Sequence, residues 1–366
     1  MNFDFDDEHR ELQRAARGLL DDRCALRDVR AVFEGPDPYD KDLWAAGAAM
    51  GWMGLAIPEA HGGLGLGYLE LALLAEEVGR ALAPIPLSSS VYLGTEALLL
   101  AGSPGQQERY LPRLASGELI ATLAVQERRD RVGGADLETR FDDDRLYGVK
   151  APVPDGEVAG LAVVVANSGS TLVLVDLDGE GVRREPLQSL DPSRALCRLH
   201  FDGAPAEVLG ADGDGQALLD RLYDRAAVLF AFEQLGGAQR CLDLAVDYAK
   251  QRYTFGRPIG SYQAIKHKLA DVFVAVELAR SNAYYGAWAL STGSDELGIA
   301  ACLARISATE AFQVAAEEGL HVHGGIGFTW EHDAHLFLRR ARLLAVELGA
   351  ARRWKRTLVR RLVARA

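Results

Sequence analysis

The 366-residue sequence has little of what staples or anchors a chain. Its four cysteines, Cys24, Cys197, Cys241 and Cys302, are scattered, with no CxxC pair and no ligand spacing. That argues against a disulfide scaffold or a zinc site and fits reduced thiols in a cytosolic protein. His323, His332 and His335 form no ligand spacing either, and no metal is assigned. The opening MNFDFDDEHRELQ is acidic and lacks a signal-peptide core, and no uninterrupted apolar run approaches membrane-spanning length. The expectation is a cytoplasmic protein without a membrane span. Positive charge is scarce as well: a net charge of −12 argues against a nucleic-acid binder. No internal repeat or low-complexity tract stands out.

What is present is ordinary for a globular protein: 49% hydrophobic and 25% charged residues, on a chain long enough for two or three packed units. Cations concentrate at one end. From Arg339 to Ala366 there are ten Lys or Arg and a single acid, Glu347. Such a basic segment suits phosphate groups, an acidic neighbouring subunit or plain solvent.

Residues 4 to about 122 read as helical. The acids Asp4, Asp6, Asp7 and Glu8 precede apolar residues at three-to-four spacing, and Tyr68 to Leu82 is rich in Leu, Ala and Glu. After Gly117 short apolar runs take over: 119–125, 145–150, 161–166, 170–176 and 195–201, set apart by Gly, Asp and Pro. That spacing predicts a small antiparallel barrel or sandwich. From Gly215 onward the pattern is helical again, with long alanine-rich stretches at 265–290 and 298–318 and a closing helix over 336–363. The fold class is α+β in several units: an N-terminal helical domain over 1–117, a β domain over 118–213, and a C-terminal four-helix bundle over 214–366.

The chain is organised around Tyr248 to Asp271, YAKQRYTFGRPIGSYQAIKHKLAD. A helix ends near Gln251, a short loop follows, and a new helix opens around Ser261. Gly256 and Gly260 permit tight turning, and Pro258 stops the first helix. Arg252 and Arg257 bring two forked cations, with Phe255 between them, to a helix N-terminus with unpaired N–H groups. The residues suit a nucleotide pyrophosphate; they also suit an ordinary helix–loop–helix corner with solvated arginines.

That motif, with HVHGGIGFTWEHDAHLFLRRAR near the end and MGLAIPEAHGGLGLGYLELALLAEEVGRA in the first unit, resembles the acyl-CoA dehydrogenase family over essentially the whole chain. The GGIGFTWEHD wording is similar to the bacterial branch with heteromeric and steroid side-chain members. The resemblance implies FAD, an acyl-CoA or acyl-carrier-protein thioester, an electron-transfer flavoprotein as acceptor, and a homo- or hetero-oligomer of tetrameric type. It also implies roles: Arg252, Phe255 and Gln263 on the FAD pyrophosphate and adenosine, Gly324 and Gly325 for close backbone approach, His321 where a glutamine commonly meets FAD. In the family these contacts reach the flavin held mainly by the neighbouring subunit.

The sequence departs from the family where the chemistry is done. Proton removal alpha to a thioester needs a carboxylate. The usual position is Leu348, before Gly349, and the only acid beside it is Glu347. On a helix, one residue turns a side chain by about 100°. At the alternative position stand Ala226 and Ala227, with Asp224 the nearest acid. Glu347 and Asp224 are therefore candidate bases or solvated acids. On the flavin-ring side, Gln126-Glu-Arg-Arg-Asp-Arg-Val-Gly133 replaces the usual turn, with Gln126 as a hydrogen-bonding candidate. The next strand carries Pro152 and Pro154, which donate no N–H. Two functions follow. One is an FAD-dependent dehydrogenase forming an α,β double bond in an acyl thioester. The other is a catalytically silent subunit lending cross-subunit FAD contacts to a homologous partner. A flavin oxidase or monooxygenase on the same fold is a third.

Overall fold

A computed structural model describes residues 6–127 and 138–365. The chain forms two compact units, one of Met1–Arg30, Tyr68–Ala83 and Ala227–Ala366, the other of Ala31–Gly67 and Pro84–Ala226.

Six α-helices precede the first strand: α1 (Asp7–Arg23), α2 (Leu26–Glu34), α3 (Lys41–Ala49), α4 (Tyr68–Ala81), α5 (Glu96–Ala101) and α6 (Pro104–Ala115). Local chemistry starts several of them. Asp6 caps α1 by accepting the His9 N–H at 3.0 Å, and Ser103 with Gln106 makes a reciprocal capping box on α6. A buried π-helix, Ser88–Thr95, leads into α5.

The strands are β1 (Ala121–Ala124), β2 (Arg140–Asp142), β3 (Arg145–Pro154), β4 (Leu161–Ala166), β5 (Thr171–Asp176), β6 (Val182–Leu187) and β7 (Leu196–Val208). They form one sheet in the order β1-β4-β5-β7-β3-β2, with β6 also on β7. The sheet curls: Thr122 Oγ1 donates to the Pro154 carbonyl at 2.5 Å, so β3 returns towards β1. The expected antiparallel pattern needs one correction. β1 pairs with β4 in parallel, Ala121 opposite Leu161. Both strands are buried along their whole length, so neither has the alternation that marks a half-solvated antiparallel strand. β6, VRREPL, was not expected, because it is stabilised across the sheet instead of by burial: Glu185 accepts from Arg198 at 2.5 Å.

The remaining helices are α7 (Gly215–Gln251), α8 (Gln263–Ser291), α9 (Leu297–His323), α10 (Ala334–Leu344) and α11 (Ala351–Arg365). α4 and α7 touch backbone to backbone. A Cβ on Gly79 would lie 1.8 Å from the Glu233 carbonyl oxygen, and one on Gly236 would lie 1.8 Å from that of Glu76. Around this crossing Arg280 of α8 donates to Glu76 (2.8 Å) and Gln239 (2.9 Å), while Arg80 pairs with Asp243 (2.7 Å). α9 and its 3-10 extension, Leu297–Phe328, are long and apolar enough to cross a membrane, yet 61% of the most apolar stretch is buried inside the protein. Its alanines pack within the bundle.

The expected closing helix over 336–363 is two helices. They break at residues 345–350, where Leu348 (φ 56°) and Gly349 (φ 91°) take the left-handed conformation. Glu347 thus sits in a turn, where the 100° step of a helix does not set its direction.

Candidate functional site

The stretch after α7 is a β-hairpin. Tyr253–Thr254 (β8) pairs with Arg257–Pro258 (β9), Thr254 opposite Arg257. Phe255 (φ 52°) and Gly256 (φ 80°) are its two turn residues, the pair of positive φ angles that matches strand twist in a type I′ turn. This geometry leaves Phe255 93% exposed. The two arginines part company. Arg257 stacks on the Tyr262 ring at 4.0 Å, whereas Arg252, at the hairpin base, is exposed. Tyr262 in turn donates its hydroxyl to the Thr254 carbonyl at 2.9 Å, bracing the hairpin. Gln263 is the exposed first residue of α8, beside the free N–H groups of that helix end.

α9 ends at the same end of the bundle. The rings of Tyr248, one turn before Arg252, and His323 lie 4.5 Å apart. Lys268 of α8 pairs with Glu318, and Glu318 faces His321 at 3.5 Å. His321 is more than half exposed and near the Phe328 ring, so it points outward. Gly324 follows with φ 65° and ψ −145°, a region closed to residues with a Cβ. A Cβ built on Gly324 or Gly325 would meet nothing within 4 Å. Arg252, Phe255, Gln263, His321, Gly324 and Gly325 are therefore brought to one end of α7–α9, with open space over the glycines.

The 345–350 turn is elsewhere. Arg305, fully buried in α9, donates to the carbonyls of Leu344 and of Glu347 (2.6 Å) and to Gln234 Oε1 of α7 (2.8 Å). Burial opposes its charge and pulls it down to about 10, against the attraction of Glu347 and Glu233, so it stays cationic at neutral pH. Glu347 is half-buried, and Leu348, at 7% exposure, points into the interior. Sixteen residues of α9 separate Arg305 from His321, about 24 Å at helical rise. Glu347 and the hairpin residues are not one cluster.

In the other unit, Asp224 is a half-buried member of α7, and Ala226 beside it is fully buried. Gln126 lies two residues past β1, its carbonyl accepting the Ala151 N–H at 2.8 Å. Residues 128–133 of the altered turn lie outside the described residues. Ala151 and Pro152 fall where the β3–β7 register shifts, so the missing proline N–H breaks no ladder bond.

Sequence reading missed Glu127. Its carboxylate accepts from the backbone N–H of Glu138 (2.5 Å) and Thr139 (3.0 Å) and from the buried Lys150 ammonium (2.7 Å). It ties residue 127, next to Gln126, to the backbone of residues 138 and 139. The available signal was a lysine in an otherwise apolar strand, which requires a buried acid. Arg305, in the alanine-rich stretch CLARISATE, gave the same kind of signal.

Residues 6–118 match the acyl-CoA dehydrogenase N-terminal domain, and residues 213–363 the acyl-CoA dehydrogenase C-terminal domain. Acyl-CoA dehydrogenase IpdE2 of Mycobacterium tuberculosis is 35% identical over 92% of this chain and 91% of its own. The chain belongs to the acyl-CoA dehydrogenase family. Among solved structures, the Tcur3481-Tcur3483 steroid ACAD is 32% identical with a TM-score of 0.88, covering 98% of both chains. The ChsE4-ChsE5 complex from Mycobacterium tuberculosis is 28% identical with a TM-score of 0.90, covering 99% of both. This places the chain in an oxidoreductase family.

Proposed function

We propose that this family member oxidises an acyl-CoA thioester to the α,β-unsaturated product with FAD, as a subunit whose hairpin end serves a flavin centred on a neighbouring chain. The supporting observation is the distance of about 24 Å along α9 between the hairpin end and the Glu347 turn. One chain thus offers a phosphate-type contact and a candidate base at two places, and an oligomer brings each to a different flavin. The hairpin end fits the ADP half of FAD: a forked cation at Arg252, an aromatic face at Phe255, a helix N-terminus at Gln263, and the open cradle over Gly324 and Gly325. When bound, FAD supplies the hydride acceptor. Within the chain, Glu347 is the carboxylate assigned here to take the α-proton, and the Arg305 hydrogen bond to its carbonyl supports that assignment by fixing the backbone. Gln126 and His321 are hydrogen-bonding groups for the cofactor, and Asp224 is the weaker alternative to Glu347. Electron-transfer flavoprotein is the family's acceptor and the one proposed here.

A second reading has its own observation. Leu348 occupies the family's base position and buries an apolar side chain there. That favours a silent subunit in a two-chain complex, as the paired names of the two solved relatives describe for those proteins. Flavin content and one variant separate the readings. In the active case the purified protein carries flavin, and Glu347→Gln keeps it while turnover falls at least ~100-fold. Unchanged turnover removes Glu347 as base. A colourless protein that gains half a flavin per chain only on co-expression with a homologous neighbour establishes the supporting subunit.

A further inference from the structure

We propose that His323 and His332 are positioning residues for the adenosine end of the cofactor site, and that they hold it only while His332 is a neutral imidazole. The inference rests on the assignment of the Gly324–Gly325 turn to FAD. His323 is the last residue of α9, 8% exposed, directly before Gly324. Its ring lies 4.5 Å from Tyr248 on one side and 4.5 Å from His332 on the other. Three neighbouring rings, tilted 34° and 53° to one another, therefore connect the end of α7, which carries the Arg252 hairpin, to the chain returning from the glycine turn into α10.

The hydrogen bonds assign the protons. His323 Nδ1 lies 2.7 Å from the Gly319 carbonyl, which can only accept, so this nitrogen carries hydrogen. His332 is the reverse. Its Nδ1 accepts the N–H of Ala334, the first residue of α10, at 3.1 Å, and only an unprotonated nitrogen can do so. Protonating His332 puts hydrogen against hydrogen at that contact and uncaps α10. It also places a cation at a helix N-terminus, where the dipole is already positive.

The surroundings oppose the charge. Burial first, then His323, lowers the His332 pKa, with His335 and Arg30 adding to the effect and Asp333 opposing it. Asp333 is engaged by the Arg30 fork at 2.7 and 3.2 Å. His335 is itself lowered by burial; it donates to the Trp330 carbonyl at 3.2 Å, and Arg339 lies over the Trp330 ring. Glu331 is the other acid beside the pair. Behind the two rings a cavity of about 180 Å³, walled by Leu26, Leu244, Leu320 and Phe337, leaves room for a ring to swing once they part. Acidification thus releases the glycine turn.

The test uses the full chain, with a homologous partner where flavin binding needs one. The variants are His323→Phe, which keeps a ring, and His332→Asn, which keeps an acceptor for the Ala334 N–H; neither titrates. FAD affinity, followed by flavin fluorescence, should fall roughly tenfold in the wild type from pH 7.5 to 5.5, while the double variant, whatever its affinity at pH 7.5, changes less than about twofold over the same range. In parallel, amide exchange over residues 324–329 of flavin-free protein, corrected for intrinsic rates, should accelerate in acid only in the wild type. Equal acid responses of wild type and double variant in the exchange experiment overturn the proposal. If no form binds FAD at pH 7.5, the FAD assignment fails by itself, and the exchange comparison still decides whether the histidines hold the turn.

Discussion

Buried cations such as Lys150 and Arg305 show how much a single side chain decides here. Lys150 has no exposed side-chain surface, and burial pushes its ammonium down to about 8 despite the Glu127 carboxylate. Replacing it with methionine would strand Glu127 beside the backbone of 138–139. Lys150→Met should therefore cost about 3 kcal/mol in chemical denaturation, the scale of breaking a buried pair from one side. The pH dependence has a definite sign. Between pH 8 and the ordinary lysine value the unfolded chain holds more proton than the folded one, so this residue makes stability rise with pH across that window. The Lys150→Met protein should lack that rise; an identical slope in both proteins would mean that the ammonium is not desolvated.

Among the elements, the α4–α7 crossing is the least tolerant. The Cβ of Gly236→Ala would meet the Glu76 carbonyl oxygen at 1.8 Å and the Arg80 nitrogen at 2.8 Å, both backbone atoms. The helices must separate, and the Glu76–Arg280 and Arg80–Asp243 pairs loosen with them. A loss of about 3 kcal/mol is expected for an overpacked core contact of this kind, read as a lower denaturation midpoint at unchanged slope. The residues GRA and LGGA do not announce such a contact, because their meaning lies in the partner helix. The legible elements were those whose own pattern settles them. α7 ends at Gln251 as the pattern and Pro258 required, and β4 spans 161–166 as read. Illegible elements depend on something distant: the parallel pairing of β1, the charged β6, and the break at 345–350. That break needs Arg305, some forty residues earlier, to take up the carbonyls it frees. The candidate site divides the same way. Arg252, Phe255 and Gln263 could be placed from their own motif, whereas the setting of Glu347 could not.

For the whole molecule the decisive question is which chain serves which flavin. Apolar rings at the hairpin end, Phe255, Phe328 and Trp330, lie on the surface of their unit, an arrangement that a second subunit would cover. If Arg252 acts on one flavin and Glu347 on another, two defective chains can repair each other. Arg252→Ala alone should lack flavin, and Glu347→Gln alone should hold flavin without turning over. Co-expressed in equal amounts, the two variants form mixed pairs in which one site joins an intact hairpin to an intact carboxylate. Random pairing in a two-fold dimer makes half the dimers mixed and one site in two competent, so about a quarter of the wild-type rate should return. Recovery at that level requires a site shared between chains. No recovery from two folded, co-assembled variants would place Arg252 and Glu347 on the same flavin, and the separation along α9 would then have to be spanned by the cofactor of a single subunit.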